Sequence, residues 1–336
     1  MAAHKRRRRR KKTNTFAIII TTLLLVIVTG AIALTGYLLM HHRTFSDLAA
    51  GEAFSPAEEE STEEAAAAEE EEAAEPEIPE NERYYFEEGQ MHRGNLILVN
   101  ADYPYDFDAN ANTDIVGIRE ANIVKCAMAS EDFALCGSIM TPLQVMITDC
   151  NEAIGYEDTG ISSAYRSYEY QQKVYDDTEA EYGKAYADKY VATPGYSEHH
   201  TGLALDMGIY RFDGYVGTFS ESNNAKWIDN NCQLYGFVRR YKEDKVSVTG
   251  ISNESWHFRY VGVPHATYMN EHNLCLEEYI EFLRTRTEDM PLVVACNNGS
   301  YKIWFTSEEY IREPENPFEV SGNNVDGYII TETLIA

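Results

Sequence analysis

The chain has few cysteines and, beyond its first residues, few basic side chains. Six cysteines among 336 residues are too few for a disulfide-dense scaffold, and none forms a Cys-x-x-Cys pair, so a thiolate zinc site is not expected. Eight of the 28 Lys and Arg residues lie within residues 5–12, so the rest of the chain carries a net charge of −35 against −27 for the whole. A body this acidic repels phosphates, which excludes DNA or RNA as an expected partner.

The composition also excludes a wholly disordered chain. Hydrophobic residues make up 44% and aromatic residues 12% of the sequence, enough to build a core. Tyrosine alone accounts for 24 residues, and such rings suit a groove that handles a polar polymer. The cysteines allow either disulfides or buried free thiols, and the sequence does not decide between them.

Residues 16–40 contain no charged side chain. As a helix these residues would be about 37 Å long, enough to cross a hydrocarbon core of roughly 30 Å. A cleaved signal peptide is the alternative, but its apolar region is shorter and ends at a small-residue cleavage site that is not visible here. The basic run directly before the span predicts that residues 1–15 form a cytoplasmic tail and that everything after residue 40 lies outside.

The segments beyond the span differ in composition. Residues 41–82 are predicted to be an acidic linker, since residues 51–80 hold thirteen Glu and no Lys or Arg. We expect an N-terminal extension at 83–135, a central domain at 136–290 and a β-rich C-terminal extension at 291–336. Strands and helices mix without βαβ alternation, which favours an α+β fold with a small antiparallel sheet flanked by helices.

Individual elements follow from the local patterns. The apolar run Leu96–Val99 predicts a short buried strand. Thr141 followed by Pro142 predicts the start of a helix. Further helices are expected at 168–182, 227–235 and 265–284, the last as one helix or as two pieces. Further strands are expected at 161–164, 203–207, 256–261, 293–295, 301–305 and 328–330.

Two clusters carry the residue types of a catalytic metal site. One runs from Ser197 to Asp206 and includes His199, and the other runs from Glu254 to Tyr260. Two imidazoles and one carboxylate form a catalytic zinc set, and a glutamate placed like Glu254, three residues before His257, can serve as a general base.

Alternation along the second cluster separates its side chains. It predicts His257 and Arg259 on one strand face and Trp256 and Phe258 on the other, in the core. Arg240 and Arg259 are expected to form ion pairs with acidic residues.

Three motifs resemble those of the zinc D-alanyl-D-alanine carboxypeptidases of the VanY type. Ser-Glu-His-His-Thr-Gly-Leu-Ala-Leu-Asp is similar to their Ser-x-His-x-x-Gly-x-Ala-x-Asp signature, Glu-Ser-Trp-His-Phe-Arg-Tyr to Glu-Pro-Trp-His-x-Arg-Tyr, and Ser-Ala-Tyr-Arg-Ser to Ser-x-Tyr-Arg-Ser. They occur in the family's order over about residues 136–285. Ser255 replaces the usual Pro, and His200 stands where Gln is common, a position that the family leaves off the metal.

The resemblance implies the roles of individual residues. It implies His199, Asp206 and His257 as ligands of a Zn²⁺ cofactor, Glu254 as general base and Arg166 as the group that steadies the scissile carbonyl or the substrate carboxylate. It also implies that Ser197 and Gln172 help hold the peptide terminus, and that residues 136–290 adopt the Hedgehog/DD-peptidase-like fold.

The function that this resemblance implies is a membrane-anchored hydrolase at the bacterial cell surface. It would remove the C-terminal D-alanine from peptidoglycan stem peptides, outside the membrane. An L,D-carboxypeptidase acting on tetrapeptide stems, an endopeptidase that cuts cross-links and a non-catalytic wall-binding domain of the same fold are the alternatives. A domain that has lost its activity usually lacks a ligand or the base, and all four residues are present here.

Overall fold

The computed structural model describes residues 78–124, 126–155, 158–210 and 216–334. The predicted cytoplasmic tail, membrane span and nearly all of the acidic linker lie outside these residues. Within the described ranges, every helix is too short or too polar to cross a membrane.

The helices and strands of the described residues alternate irregularly along the chain. The helices are α1 (Ile118–Ala121), α2 (Gly137–Ile154), α3 (Tyr168–Tyr182), α4 (Lys184–Tyr190), α5 (Asn223–Asn231), α6 (Val246–Thr249), α7 (Val263–Glu271) and α8 (Leu276–Leu283). The strands are β1 (Arg83–Tyr85), β2 (Ile115–Gly117), β3 (Ala134–Cys136), β4 (Thr159–Ser163), β5 (Ala204–Tyr210), β6 (Val216–Gly217), β7 (Phe237–Tyr241), β8 (Glu254–Tyr260), β9 (Leu292–Cys296), β10 (Gly299–Thr306), β11 (Tyr310–Arg312), β12 (Phe318–Gly322) and β13 (Tyr328–Leu334).

The central sheet is antiparallel, with strand order β4-β5-β8-β7 and β6 paired to the end of β5. Helix α2 buries Leu143 and Ile147 in the same apolar cluster as Leu205 and Phe258 of the sheet. The register places Ser163 opposite Asp206 and Asp206 opposite His257. A row of polar side chains therefore crosses three neighbouring strands.

A second antiparallel sheet, with order β12-β13-β10-β9, forms the C-terminal part. Its residues Ile303 and Ile329 share a core with Leu276 and Ile280 of α8. Strand β1, from the N-terminal extension, pairs with β11 of the C-terminal part. The two predicted extensions therefore pack together, although they lie at opposite ends of the folded sequence.

The prediction of a mixed α and β chain with small antiparallel sheets is confirmed, and three local expectations need correction. The predicted strand at Leu96–Val99 is wrong. These residues are buried, but they lie outside every described strand because several of their backbone groups bond to side chains: Leu96 N donates to Ser321 Oγ, and the carbonyls of Ile97 and Leu98 accept from Arg259 and Asn324. The helix expected to begin at Thr141 begins at Gly137, since β3 leads directly into it and Pro142 lies inside the helix.

Trp256 does not lie in the core. Its side chain is 36% exposed and lines the pocket described below, whereas Phe258 is fully buried as expected. The pairing between β5 and β8 ends at Asp206 and His257, so Trp256 lies beyond the part of the strand that packs against α2. All six cysteines are free thiols in the structure.

Candidate metal centre

His199 lies in a 3-10 turn, Glu198–Thr201, between α4 and β5. The turn closes at Gly202, whose φ of 68° favours glycine, and a Cβ there would come within 2.4 Å of Ile115 Cδ1. His199 Nδ1 is 2.7 Å from the carbonyl oxygen of Ala164, to which it donates a hydrogen bond. The lone pair of the ring is therefore on Nε2, which faces Asp206 Oδ2 at 3.5 Å.

Asp206 and His257 are directly paired residues of β5 and β8. Asp206 Oδ1 is 2.9 Å from His257 Nδ1, and His257 Nε2 is 3.4 Å from the buried Glu198 Oε2. With its proton on Nε2, His257 would donate a hydrogen bond to the Glu198 carboxylate, and Nδ1 would be free to act as a ligand. Carboxylate–histidine pairs of this kind support metal ligands.

His199, Asp206 and His257 offer ligand atoms that all lie within 4.8 Å of one another, and we call them the metal triad. The two imidazole rings meet edge to face, with centroids 5.0 Å apart. Two imidazole nitrogens and one carboxylate oxygen, with no thiolate, match the donor set of a catalytic zinc site that leaves one position open. The residues therefore fit the metal that the sequence predicts.

The protonation of the triad would couple metal binding to the release of a proton. Burial and the Arg166 cation lower the pKa of His199 to about 4, so its imidazole is neutral. Burial alone would raise the pKa of Asp206, but the two histidines outweigh it and hold that pKa well below its usual value. Burial lowers the pKa of His257, but hydrogen bonds to Asp206 and Glu198 raise it to about 9. A metal on Nδ1 would displace that proton, which makes metal binding release a proton.

Glu254 opens β8 and is 5% exposed. Its Oε2 is 3.8 Å from His257 Nδ1, and both side chains line the same pocket. Burial raises the pKa of Glu254 to about 7. A carboxylate with a pKa near neutrality is suited to take up and return a proton at physiological pH.

Arg166 follows β4 and directs its guanidinium into the pocket. It donates to Ser163 Oγ at 2.7 and 2.9 Å, to Gln171 Oε1 at 3.1 Å and to Asp206 Oδ2 at 3.0 Å. His200 supports its backbone, because His200 Nδ1 lies 2.7 Å from the Arg166 carbonyl while His200 Nε2 accepts from Gly195 N. Both nitrogens of His200 are thus engaged away from the metal triad.

The two predicted substrate-binding residues differ in their placement. Ser197 is buried, lines the pocket and accepts a hydrogen bond from the His199 amide. Gln172 is exposed and donates to Asp176, so the structure does not bring it into the site. The neighbouring Gln171 is fully buried and links Arg166 to the Ala192 carbonyl.

Glu198 is the functional residue that the sequence reasoning missed. Its carboxylate contacts His257 and accepts hydrogen bonds from Arg240 Nε at 2.8 Å and from Arg259 Nη1 at 3.0 Å. Burial alone would raise its pKa, but Arg240 and Arg259 hold that pKa far below its usual value. Arg240 also pairs with Glu277, so two arginines and two carboxylates balance in charge behind the metal triad. The signal in the sequence was the pair Arg240 and Arg259, two cations on strands near the metal motif, which indicates a buried acidic partner such as Glu198.

Comparison with known proteins shows extensive similarity. The family model described as VanY, D-alanyl-D-alanine carboxypeptidase, matches residues 134–263. A D-alanyl-D-alanine carboxypeptidase of Enterococcus faecium is 35% identical over 251 residues, which cover 73% of this chain and 77% of that protein. A D-alanyl-D-alanine carboxypeptidase of Enterococcus faecalis is 35% identical over 209 residues, which cover 58% of this chain and 68% of that protein.

A solved structure extends the similarity to the fold. The vancomycin resistance D,D-dipeptidase VanXYg, crystallised with a D-Ala-D-Ala phosphinate analog, aligns with a TM-score of 0.66 at 31% identity. The alignment covers 75% of this chain and 98% of that one.

Proposed function

The chain belongs to the family of VanY-type D-alanyl-D-alanine carboxypeptidases, and from this membership we propose that it is a zinc carboxypeptidase that removes the C-terminal D-alanine from peptidoglycan stem peptides. The observation that carries the proposal is one pocket lined by the metal triad, Glu254 and Arg166. That pocket combines a metal site, a proton acceptor and a fixed cation, the functional groups that metal-assisted amide hydrolysis requires.

The metal triad would hold the zinc ion, which when bound polarises the scissile carbonyl and lowers the pKa of the attacking water. His199 is presented as a neutral ligand by the Ala164 carbonyl, and His257 is held in position by Glu198. Glu254, buried beside His257, takes the proton of the attacking water and returns it to the departing amine of D-alanine.

Arg166 and Ser197 hold the substrate. The guanidinium of Arg166 is fixed by Ser163 and Gln171, so it is ordered before a ligand arrives. It is placed to steady the scissile carbonyl oxygen or the terminal carboxylate of the peptide, and Ser197 adds a hydroxyl on the same pocket wall.

The test is to incubate the purified, zinc-loaded protein with a pentapeptide stem that ends in D-Ala-D-Ala and with the tetrapeptide that lacks the last residue. Mass spectrometry of the products should show one D-alanine released from the pentapeptide, and an added chelator should stop the release. Cleavage of the tetrapeptide alone would overturn the D,D assignment, and no cleavage of either would overturn the enzymatic function.

The protein is anchored in the bacterial cell membrane by residues 16–40, with its catalytic domain outside. The support is the uncharged stretch of 25 residues preceded by the basic run at 5–12, together with a substrate that lies in that compartment. Protease added to intact cells should remove the folded domain. A domain that is degraded only after lysis would contradict this location.

A further inference from the structure

Three tyrosine rings form a continuous row that begins in the catalytic pocket and ends at the surface. Tyr186 and Tyr190 line the same pocket as the metal triad. The ring centroids of Tyr190 and Tyr186 are 4.6 Å apart, and those of Tyr186 and Tyr182 are 4.8 Å apart. Tyr182 is 58% and Tyr186 43% exposed. We call this row of rings the tyrosine ladder.

The ladder crosses a junction between two helices. Tyr182 is the last residue of α3, and Tyr186 and Tyr190, four residues apart on α4, lie on the same face of that helix. Gly183, with a φ of 87°, ends α3 and allows α4 to begin. The Lys184 ammonium contacts both Tyr175 of α3 and Asp188 of α4, which holds the two helices together.

The end of α4 is also fixed relative to the metal triad. Gln171, which contacts Arg166, donates to the Ala192 carbonyl at 2.7 Å. The Lys189 carbonyl accepts from Ser252 N at 3.1 Å, in the segment that leads to Glu254. The ladder is therefore held on the same frame as the residues proposed to act on the substrate.

The exposure of these rings indicates a surface that binds a ligand. Single exposed tyrosines are ordinary, but a contiguous row that continues a pocket marks a binding surface. Tyrosine rings offer large, stiff contact areas with a polar tip, and they commonly anchor bound peptides. The two steps of the ladder, 4.8 and 4.6 Å, match the length of about three residues of extended peptide at about 3.3 Å each.

Building on the proposed carboxypeptidase function, we propose that the tyrosine ladder binds the stem-peptide segment on the N-terminal side of the scissile bond. The metal triad and Arg166 would then hold the terminal D-Ala-D-Ala, while the ladder holds the residues that precede it. The enzyme would in this way select a complete stem peptide over a short fragment with the same C-terminus.

The test compares kcat/KM for D-alanine release from a pentapeptide stem and from an acetylated tripeptide, both ending in D-Ala-D-Ala. Wild-type enzyme should prefer the pentapeptide. In Tyr182→Ala and Tyr186→Ala the pentapeptide-to-tripeptide ratio should fall about five- to tenfold, chiefly through KM, as for the loss of an aromatic anchor. Tyr170→Ala, a change at a tyrosine of α3 that is 50% exposed and lies outside the ladder, should keep the wild-type ratio.

An unchanged ratio in both ladder variants would overturn the inference while leaving the proposed function intact. The same variants are also assayed with a pentapeptide that carries its disaccharide. A fall in kcat/KM seen only with that substrate would assign the ladder to the glycan and overturn the peptide assignment. Absence of D-alanine release from every substrate by wild-type enzyme would overturn the proposed function and the inference with it.

Discussion

The Glu198 carboxylate lies 3.4 Å from Nε2 of His257, and the opposite ring nitrogen of His257 faces Asp206 at 2.9 Å. In this arrangement Nε2 of His257 would bond to a supporting carboxylate, and Nδ1 would be available to the proposed metal. Arg240 and Arg259 fix the carboxylate in turn. The position of His257 is therefore set by Glu198, in the turn before β5, and by Arg240 of β7, as well as by its own strand, β8.

Glu198→Gln should weaken zinc binding by about 10–100-fold, the usual effect of losing a partner that orients a ligand. It should also lower the free energy of unfolding by about 3 kcal/mol or more, because two buried arginines lose a counter-charge. Glu277→Gln is the matched control, since Glu277 pairs with Arg240 at 2.6 Å but is not a hydrogen-bond partner of His257. Chelator competition and urea unfolding on both variants measure the two effects.

A loss of zinc affinity that is equally large in Glu277→Gln would show that the charge cluster supports only the fold. Zinc affinity close to wild type in Glu198→Gln would remove Glu198 from the support of His257.

Glu254→Gln should keep its zinc and lose about 10²–10⁴-fold in kcat. The amide is nearly the same size as the carboxylate but cannot accept the proton, and general acid–base assistance typically contributes that much. Zinc content and D-alanine release measured on the same preparation check both parts. Loss of the metal would make Glu254 a ligand, and near-normal turnover would place the base elsewhere. His200 is not the replacement, because both of its nitrogens are already hydrogen-bonded.

His265 should make the protein less stable in acid. It is buried between Tyr279 and Thr331, and burial lowers its pKa to about 3. An unfolded histidine titrates near pH 6.5, so between these pH values the unfolded chain holds a proton that the folded chain does not. Its contribution to stability is complete above about pH 6.5 and is lost as the pH falls, by about 1.4 kcal/mol per pH unit.

Urea unfolding at pH 7.5 and pH 5.0 measures this loss. The difference between the two pH values should shrink in His265→Gln, which does not titrate, and should stay at the wild-type level in His272→Gln, a change at an exposed histidine. An identical pH dependence in wild type and His265→Gln would contradict the assignment.

The local motifs predicted the metal triad because its spacing is set within single elements. A turn followed by a strand places His199 and Asp206, and the antiparallel register adds His257. Glu198 was not predictable in the same way. Its partners Arg240 and Arg259 come from different strands, and only the folded sheet brings them to one carboxylate.

The choice between Gln171 and Gln172 depended on helix phase. One residue turns a helix by about 100°, which separates a buried side chain from an exposed one. Gln171 and Tyr175, four residues apart, are the buried residues of α3. That spacing favours Gln171, and the motif resemblance alone does not distinguish the two. The prediction that Trp256 lies in the core was wrong for a related reason. Alternation along β8 predicts which face a side chain lies on, but not that the pairing with β5 ends at His257.

The metal triad itself is tested most directly by zinc K-edge absorption spectroscopy on wild-type protein, His257→Ala and His272→Ala. Wild-type protein and His272→Ala, whose altered histidine is exposed and lies outside the triad, should each hold one zinc per chain with two imidazole ligands. His257→Ala should lose the metal or keep residual metal with a single imidazole, since two remaining ligands hold a catalytic zinc poorly. Full zinc occupancy with two imidazoles in His257→Ala would contradict the site.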